Sequence, residues 1–189
     1  MIDCMIHEPI PRYLSYAPDV SKALEAVLWV VAAKPGIDIY LVCKCLYFAD
    51  VKHLSRYGRS IFGEKYIADT YGPRGEAAYG LMRHRMGELI ALEKPDVPVR
   101  VMTVPPWTVT ADRGPDGECL SESDVEALAE ALAENGDKSF HDLYRETHAH
   151  PAYIQANGGI IDYRHMVSQF SDVSDEKLES IAEYAGTLR

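Results

Sequence analysis

The sequence predicts an α+β fold, predominantly helical: a single compact domain over residues 1–189, with about five to seven helices and one small β-hairpin after the third. Three observations predict it. A chain of 189 residues is long enough for one well-buried core and short for two independent domains. Apolar side chains recur at helical spacing in most segments that lie between capping residues. β-Branched residues concentrate in one stretch near residues 97–110, interrupted by Pro105-Pro106.

The first helix is expected over residues 20–34, where positions 20, 23, 24, 27, 28 and 31 are apolar and Asp19 and Ser21 are capping candidates. Lys34-Pro35-Gly36 stops it. Asp38 is the N-cap candidate for a second helix from Ile39 to Tyr57, closed by Gly58. Its first half, IYLVCKCLYFA, is apolar on nearly every side, the mark of a helix surrounded by neighbours. This makes it the expected centre of the fold, with Trp29, Leu46, Phe48 and Leu81 in the core.

Residues 59–71 read as an irregular connection with a short strand at Tyr66, Ile67 and Ala68. Gly72-Pro73 is expected to begin the third helix, with proline at its first position and Ala78, Leu81, Met82, Met86 and Leu89 as its buried stripe. VPVRVMTV and WTVT then form the hairpin. Ser121 and Asp124 resemble a capping box before VEALAEALAENG, and Ser139 opens FHDLYRETH. Two short helices are expected at 162–169 and 175–185, the last forming a C-terminal extension over residues 168–189.

Charge is spread unevenly. Lys and Arg against Asp and Glu number 4 to 6 in residues 1–50, 9 to 6 in 51–100 and 6 to 17 in 101–189, for a net charge of −10. Nucleic-acid affinity rests on cationic contacts, so this balance counts against DNA, whereas acidic helices could steer a basic protein partner. Three helices followed by a hairpin is nevertheless the order of a winged helix-turn-helix. Arg74, Arg83, His84 and Arg85 make the third helix locally basic. A DNA-binding regulator is therefore the alternative reading. No apolar run reaches the roughly 18 residues of a membrane span, and the N-terminus lacks the pattern of an export signal. A cytoplasmic protein with no membrane association is expected.

Candidate chemistry is sparse. Cys43 and Cys45 sit two apart on a helix, about 200° around its axis, and cannot share a metal. Cys4 and Cys119 add no ligand-pair spacing. His148 and His150, with His141 earlier, could gather around a divalent ion only in a loop before Pro151. Asp50 and His53 share a helix face near Tyr47 and Tyr57, as an acid–base pair or a structural hydrogen-bond network would. Neither a nucleophile motif nor a glycine-rich phosphate loop accompanies them. No cofactor and no metal are expected. The enzyme reading requires Asp50, His53 and Tyr57 together in a concave pocket.

The stretch from residue 44 to 79 carries a signature: Lys44, Leu46 through Asp50, His53-Leu54, Tyr57-Gly58-Arg59, Gly63, Tyr66, Ala68, Tyr71-Gly72-Pro73 and Tyr79. Leu120 through Asp124, Ser139-Phe140, Leu143, Thr147-His148 and Ile161-Asp162-Tyr163 follow at suitable intervals. In order and spacing these resemble the Panacea domain of SocA-like antitoxins, over about residues 19–167. Ser60 stands where that family often has proline, and Arg74-Gly75-Glu76 replaces Val-Pro-Ser. The resemblance implies an antitoxin of a bacterial or phage toxin–antitoxin system, not an enzyme, which binds and neutralises a cognate protein toxin. In SocA-like members it further implies a proteolytic adaptor that delivers the toxin to ClpXP. Tyr47, Asp50, His53, Tyr57, Arg59, Tyr66 and Tyr71 become the expected structural or partner-binding motif.

Overall fold

The computed structural model of the chain describes residues 17–85, 97–168, 170 and 174–187. The described elements are α1 (Val20–Ala33), α2 (Ile39–Tyr57), β1 (Tyr66–Asp69), β2 (Gly72–Gly75), α3 (Glu76–Met82), β3 (Val99–Val101), β4 (Val109–Ala111), α4 (Glu122–Asn135), α5 (Phe140–Ala149), α6 (Pro151–Ala156), α7 (Tyr163–Val167) and α8 (Asp175–Thr187). The result is predominantly helical, with two small antiparallel strand pairs, β1–β2 and β3–β4. No described helix is long and apolar enough to cross a membrane.

Capping fixes the long helices locally. Asp19 Oδ1 accepts from the Lys22 N–H at 2.9 Å and Asp38 Oδ1 from the Leu41 N–H at 2.8 Å. Gly58 ends α2 at φ 69°, the left-handed conformation glycine takes without strain. Ser121 and Asp124 form a full capping box on α4.

The reason α2 is apolar all round lies in the packing. Leu41, Val42, Cys45 and Leu46 join a core with α1, α3, the β3–β4 hairpin and α4. Tyr47, Val51 and Leu54 join a second one with β1, α6, α7 and Ile181 of α8. Among the expected core residues Leu46 and Leu81 are buried, while Trp29 and Phe48 are half-buried at the core margin. Polar residues of α2 clasp α4: Arg56 is bidentate to Glu130 at 2.9 and 2.6 Å, and Lys52 reaches Glu134 at 2.7 Å. Part of the acidic excess of the C-terminal half is thus engaged within the molecule.

Two expectations of local structure are corrected. Gly72-Pro73 does not begin a helix; it lies in β2, where Pro73 faces Ala68 of β1. The other side of β1 is taken by residues 159–161, through Ala68 N–H to Gly159 O and Ile161 N–H to Tyr66 O. β2 is therefore an edge strand, where a missing N–H is harmless. Consequently α3 starts at Glu76. Met86 and Leu89 of the expected stripe lie outside the described residues. A short helix not expected from the sequence, α6, follows α5 directly, with Pro151 at its first position and His150 as N-cap. Finally, the four basic residues expected on one helix are divided: Arg74 is in β2, and Arg83, His84 and Arg85 follow the last residue of α3.

Candidate functional site

Asp50 is fully buried. Its carboxylate accepts from the Ile61 N–H at 2.7 Å and from the Ser60 hydroxyl at 2.9 and 2.8 Å. The same Ser60 oxygen accepts from the Gly63 N–H at 2.9 Å. The residue that departs from the family's usual proline thus ties the connection to α2. Burial pushes the Asp50 carboxyl up to about 6, against the opposing pull of these donors.

One turn later His53 faces a different neighbour. Its Nδ1 donates to the Arg59 carbonyl at 2.9 Å, while Nε2 meets the Ser123 hydroxyl at 3.1 Å and Asp124 Oδ1 at 3.3 Å. Burial pushes its pKa down, so the neutral ring accepts from Ser123. Asp124 also binds Lys22 of α1 at 2.7 Å and lies 3.6 Å from Arg59. The capping box therefore doubles as a junction of α1, α2 and α4, a role spacing alone did not reveal.

Of the remaining motif residues Tyr66 stays beside Asp50, whereas Tyr47, Tyr57 and Tyr71 find other partners. Tyr47 donates to His150 Nδ1 at 3.1 Å, and Tyr66 donates to the Leu46 carbonyl at 3.3 Å, both inside the second core. Burial pushes His150 down to about 4, keeping that nitrogen an acceptor. Tyr57 is exposed, its hydroxyl 3.4 Å from Glu126. Tyr71 is exposed at the β1–β2 turn, its ring 6.2 Å from that of Phe140. His148 Nδ1 lies 2.7 Å from the Tyr144 carbonyl and its ring stacks on Tyr144. Among the described residues no three His, Cys, Asp or Glu gather as a metal site.

A carboxylate absent from the expected motif matters as much. Glu64 is fully buried and accepts from the Ala77 N–H at 2.9 Å and the Ala78 N–H at 2.8 Å. It caps α3 from twelve residues upstream, because Gly75 has no side chain to do so. The Tyr163 hydroxyl donates to its carbonyl. Burial pushes the Glu64 carboxyl up to about 7.

Among the described residues a concave feature lies against the start of α2. A cavity of about 700 Å³ opens between the start of α2, the β1–β2 turn, α3, the loop before β4 and the start of α5. The hairpin is held there by Ile39 N–H to Trp107 O and Val109 N–H to Ile37 O. Asp50, His53 and Tyr57 do not line this cavity; of the expected motif only Tyr71 does. Cys43 borders it, and burial pushes that thiol up to about 11.

Lys44 lines the cavity although it is 2 % exposed. Its ammonium donates to the Pro73 carbonyl at 2.7 Å and sits 4.8 Å from the centre of the Tyr40 ring. Burial pushes it down to about 8. Gly72, at φ 91°, makes room: a Cβ there would meet Thr147 Oγ1 at 2.5 Å and Lys44 Nζ at 3.1 Å. Arg74 Nε donates to Asp69 at 2.7 Å, whereas its buried Nη1 has no hydrogen-bond partner. The guanidiniums of Arg74, Arg83 and Arg85 all lie within 4.6 to 5.5 Å of the Tyr79 ring centre.

Large apolar side chains crowd the mouth. Tyr71, Trp107 and Phe140 line it, Met102 and Val104 share the Trp107 loop, and the five are 47 to 59 % exposed. Trp107 is held at φ 53°, a conformation bulky residues rarely take.

A family model described as antitoxin SocA-like, Panacea domain, matches residues 42–153, more than half of the chain. Comparison with curated proteins and with solved structures gives no match.

Proposed function

Because the chain belongs to the SocA-like antitoxin, Panacea-domain family, we propose that it neutralises a cognate protein toxin by direct binding, with the mouth of the cavity as the docking face. The observation that carries this reading is the exposure of Tyr71, Trp107 and Phe140 around one opening, with exposed Met102 and Val104 on the loop that carries Trp107. Clustered exposed apolar side chains mark interaction sites, and aromatic side chains beside arginines are the usual energetic anchors of an interface. The strained backbone at Trp107 supports the same reading, since strain of this kind collects at functional positions. An enzymatic role for Asp50 and His53 gains no support from the cavity, which neither residue lines. Neutralisation by binding needs no cofactor.

The test starts from the neighbouring reading frame. Expressed alone, its product should arrest growth; co-expression with this chain should restore growth and yield a co-purifying complex. Trp107→Ala and Phe140→Ala should weaken the complex by about tenfold or more each while the isolated variants keep the wild-type circular dichroism. A harmless neighbour, or a toxic one that fails to bind, overturns the reading. Delivery to a protease is separable from binding. With purified ClpXP, an adaptor accelerates toxin degradation, whereas simple occlusion protects the toxin.

A further inference from the structure

We propose that the cavity receives a segment of the toxin in which an aromatic or branched apolar side chain stands next to a carboxylate, and that the carboxylate binds beside Lys44 and Arg74. The proposal rests on the antitoxin reading and deepens it by stating the chemistry of the partner.

The first argument is an uncompensated charge. An ammonium removed from water needs a counter-ion or a full set of acceptors. Lys44 has three N–H donors, one carbonyl at 2.7 Å and one aromatic face. Among the described residues no carboxylate lies within ion-pair distance of it, and the nearby Asp69 is engaged by Arg74. Arg74 adds a second buried donor without a partner, Nη1. An anion entering the cavity would satisfy both groups.

The charge balance selects the anion. Of the residues lining the cavity, Lys44, Arg74 and Arg83 are basic and Asp38 and Asp69 acidic, an excess of one positive charge. That matches a single carboxylate; a phosphate monoester brings roughly −1.5 to −2. At the N-terminus of α2 the Leu41 N–H is already given to the Asp38 carboxylate and the Ile39 N–H to the Trp107 carbonyl, which leaves little of the backbone N–H cradle a phosphate would use. The walls select what accompanies the anion. Ile39, Pro106, Trp107 and Phe140 present apolar surface, which suits a side chain that fills space rather than one that hydrogen-bonds. Exposed Met102 and Val104, on the loop that carries Trp107, favour a protein chain over a free small molecule, because a small molecule held in the cavity would leave them uncovered.

The test needs no toxin in its first arm. The full-length, ¹⁵N-labelled protein is titrated with N-acetylphenylalanine, with its C-terminal amide, and with AMP, following backbone amide shifts. The acid should perturb residues 39–44 and 72–74 with a dissociation constant of roughly millimolar order, as expected for so few atoms. The uncharged amide should bind about tenfold more weakly, the worth of one charge-assisted hydrogen bond. Lys44→Met should reduce the acid to the level of the amide, and Ile154→Ala, an exposed position of α6, should change nothing. If Lys44→Met does not fold, the acid-to-amide ratio on the wild-type protein still decides. Equal binding of acid and amide, binding of neither, or AMP binding more tightly than the acid overturns the proposal. In the second arm, Lys44→Met and Arg83→Gln are tested for toxin neutralisation. Rescue of growth without acid selectivity overturns this proposal and leaves the antitoxin reading intact. Acid selectivity without rescue by the wild-type protein overturns the toxin as occupant.

Discussion

The side chain of Glu64 occupies the space a Cβ at position 75 would need. A methyl group built on Gly75 would lie 2.5 Å from Glu64 Cγ and 2.6 Å from its Cδ and Oε2. Glu64 cannot simply swing aside, because its carboxylate holds the first amides of α3. Gly75→Ala should therefore destabilise the fold by about 1 to 3 kcal/mol, the usual cost of overpacking. Urea unfolding of the variant measures it, and an unchanged midpoint would remove Glu64 as a fixed cap.

The same carboxylate should make stability depend on pH. Burial raises Asp50 to about 6 and Glu64 to about 7, above their ordinary 3.8 and 4.5. Between the ordinary and the raised values the folded state holds more protons than the unfolded one, so stability falls as pH rises through that window. His150, pushed down to about 4, acts in the opposite direction, its contribution being lost as pH falls from 6.5. Comparison of wild type with Glu64→Gln from about pH 5 to about 8 cancels the His150 part. The variant should lose a slope of at most about 1.4 kcal/mol per pH unit. Parallel curves for the two proteins would contradict the raised Glu64.

His53 should be structural. Removing it leaves the Arg59 carbonyl and the Ser123 hydroxyl without their imidazole partner. His53→Ala should cost about 1 to 3 kcal/mol and loosen the 59–63 connection. Amide hydrogen exchange over residues 59–63 should quicken. A variant of wild-type stability that has lost a catalysed reaction would instead favour the enzyme reading.

Leu46→Ala tests the central position of α2. The residue is 2 % exposed in the main core, and truncation should cost about 2 to 5 kcal/mol. Half-buried Phe48 lies at the junction of both cores, and Phe48→Leu should cost less. The reverse order in thermal denaturation would place the centre of the fold elsewhere.

Helix α2 with both its caps, the capping box of α4, the β3–β4 hairpin and the family were legible in the sequence. These features are written in contacts a few residues apart: a carboxylate three positions before the amide it caps, a glycine where the chain must turn left-handed, an apolar stripe at helical period. The tertiary structure decided the rest. Pro73 lies in a strand because residues 159–161 take the other side of β1, α3 is capped from Glu64, and the Asp124 of a local capping box also gathers Lys22, His53 and Arg59. The cavity is assembled from α2, the β1–β2 turn, α3, the loop before β4 and Phe140, segments distant in sequence. Whether Lys44 is a solvated lysine or a buried cation depends on what those segments exclude from water, and helical spacing records only which face a side chain is on, not what covers that face.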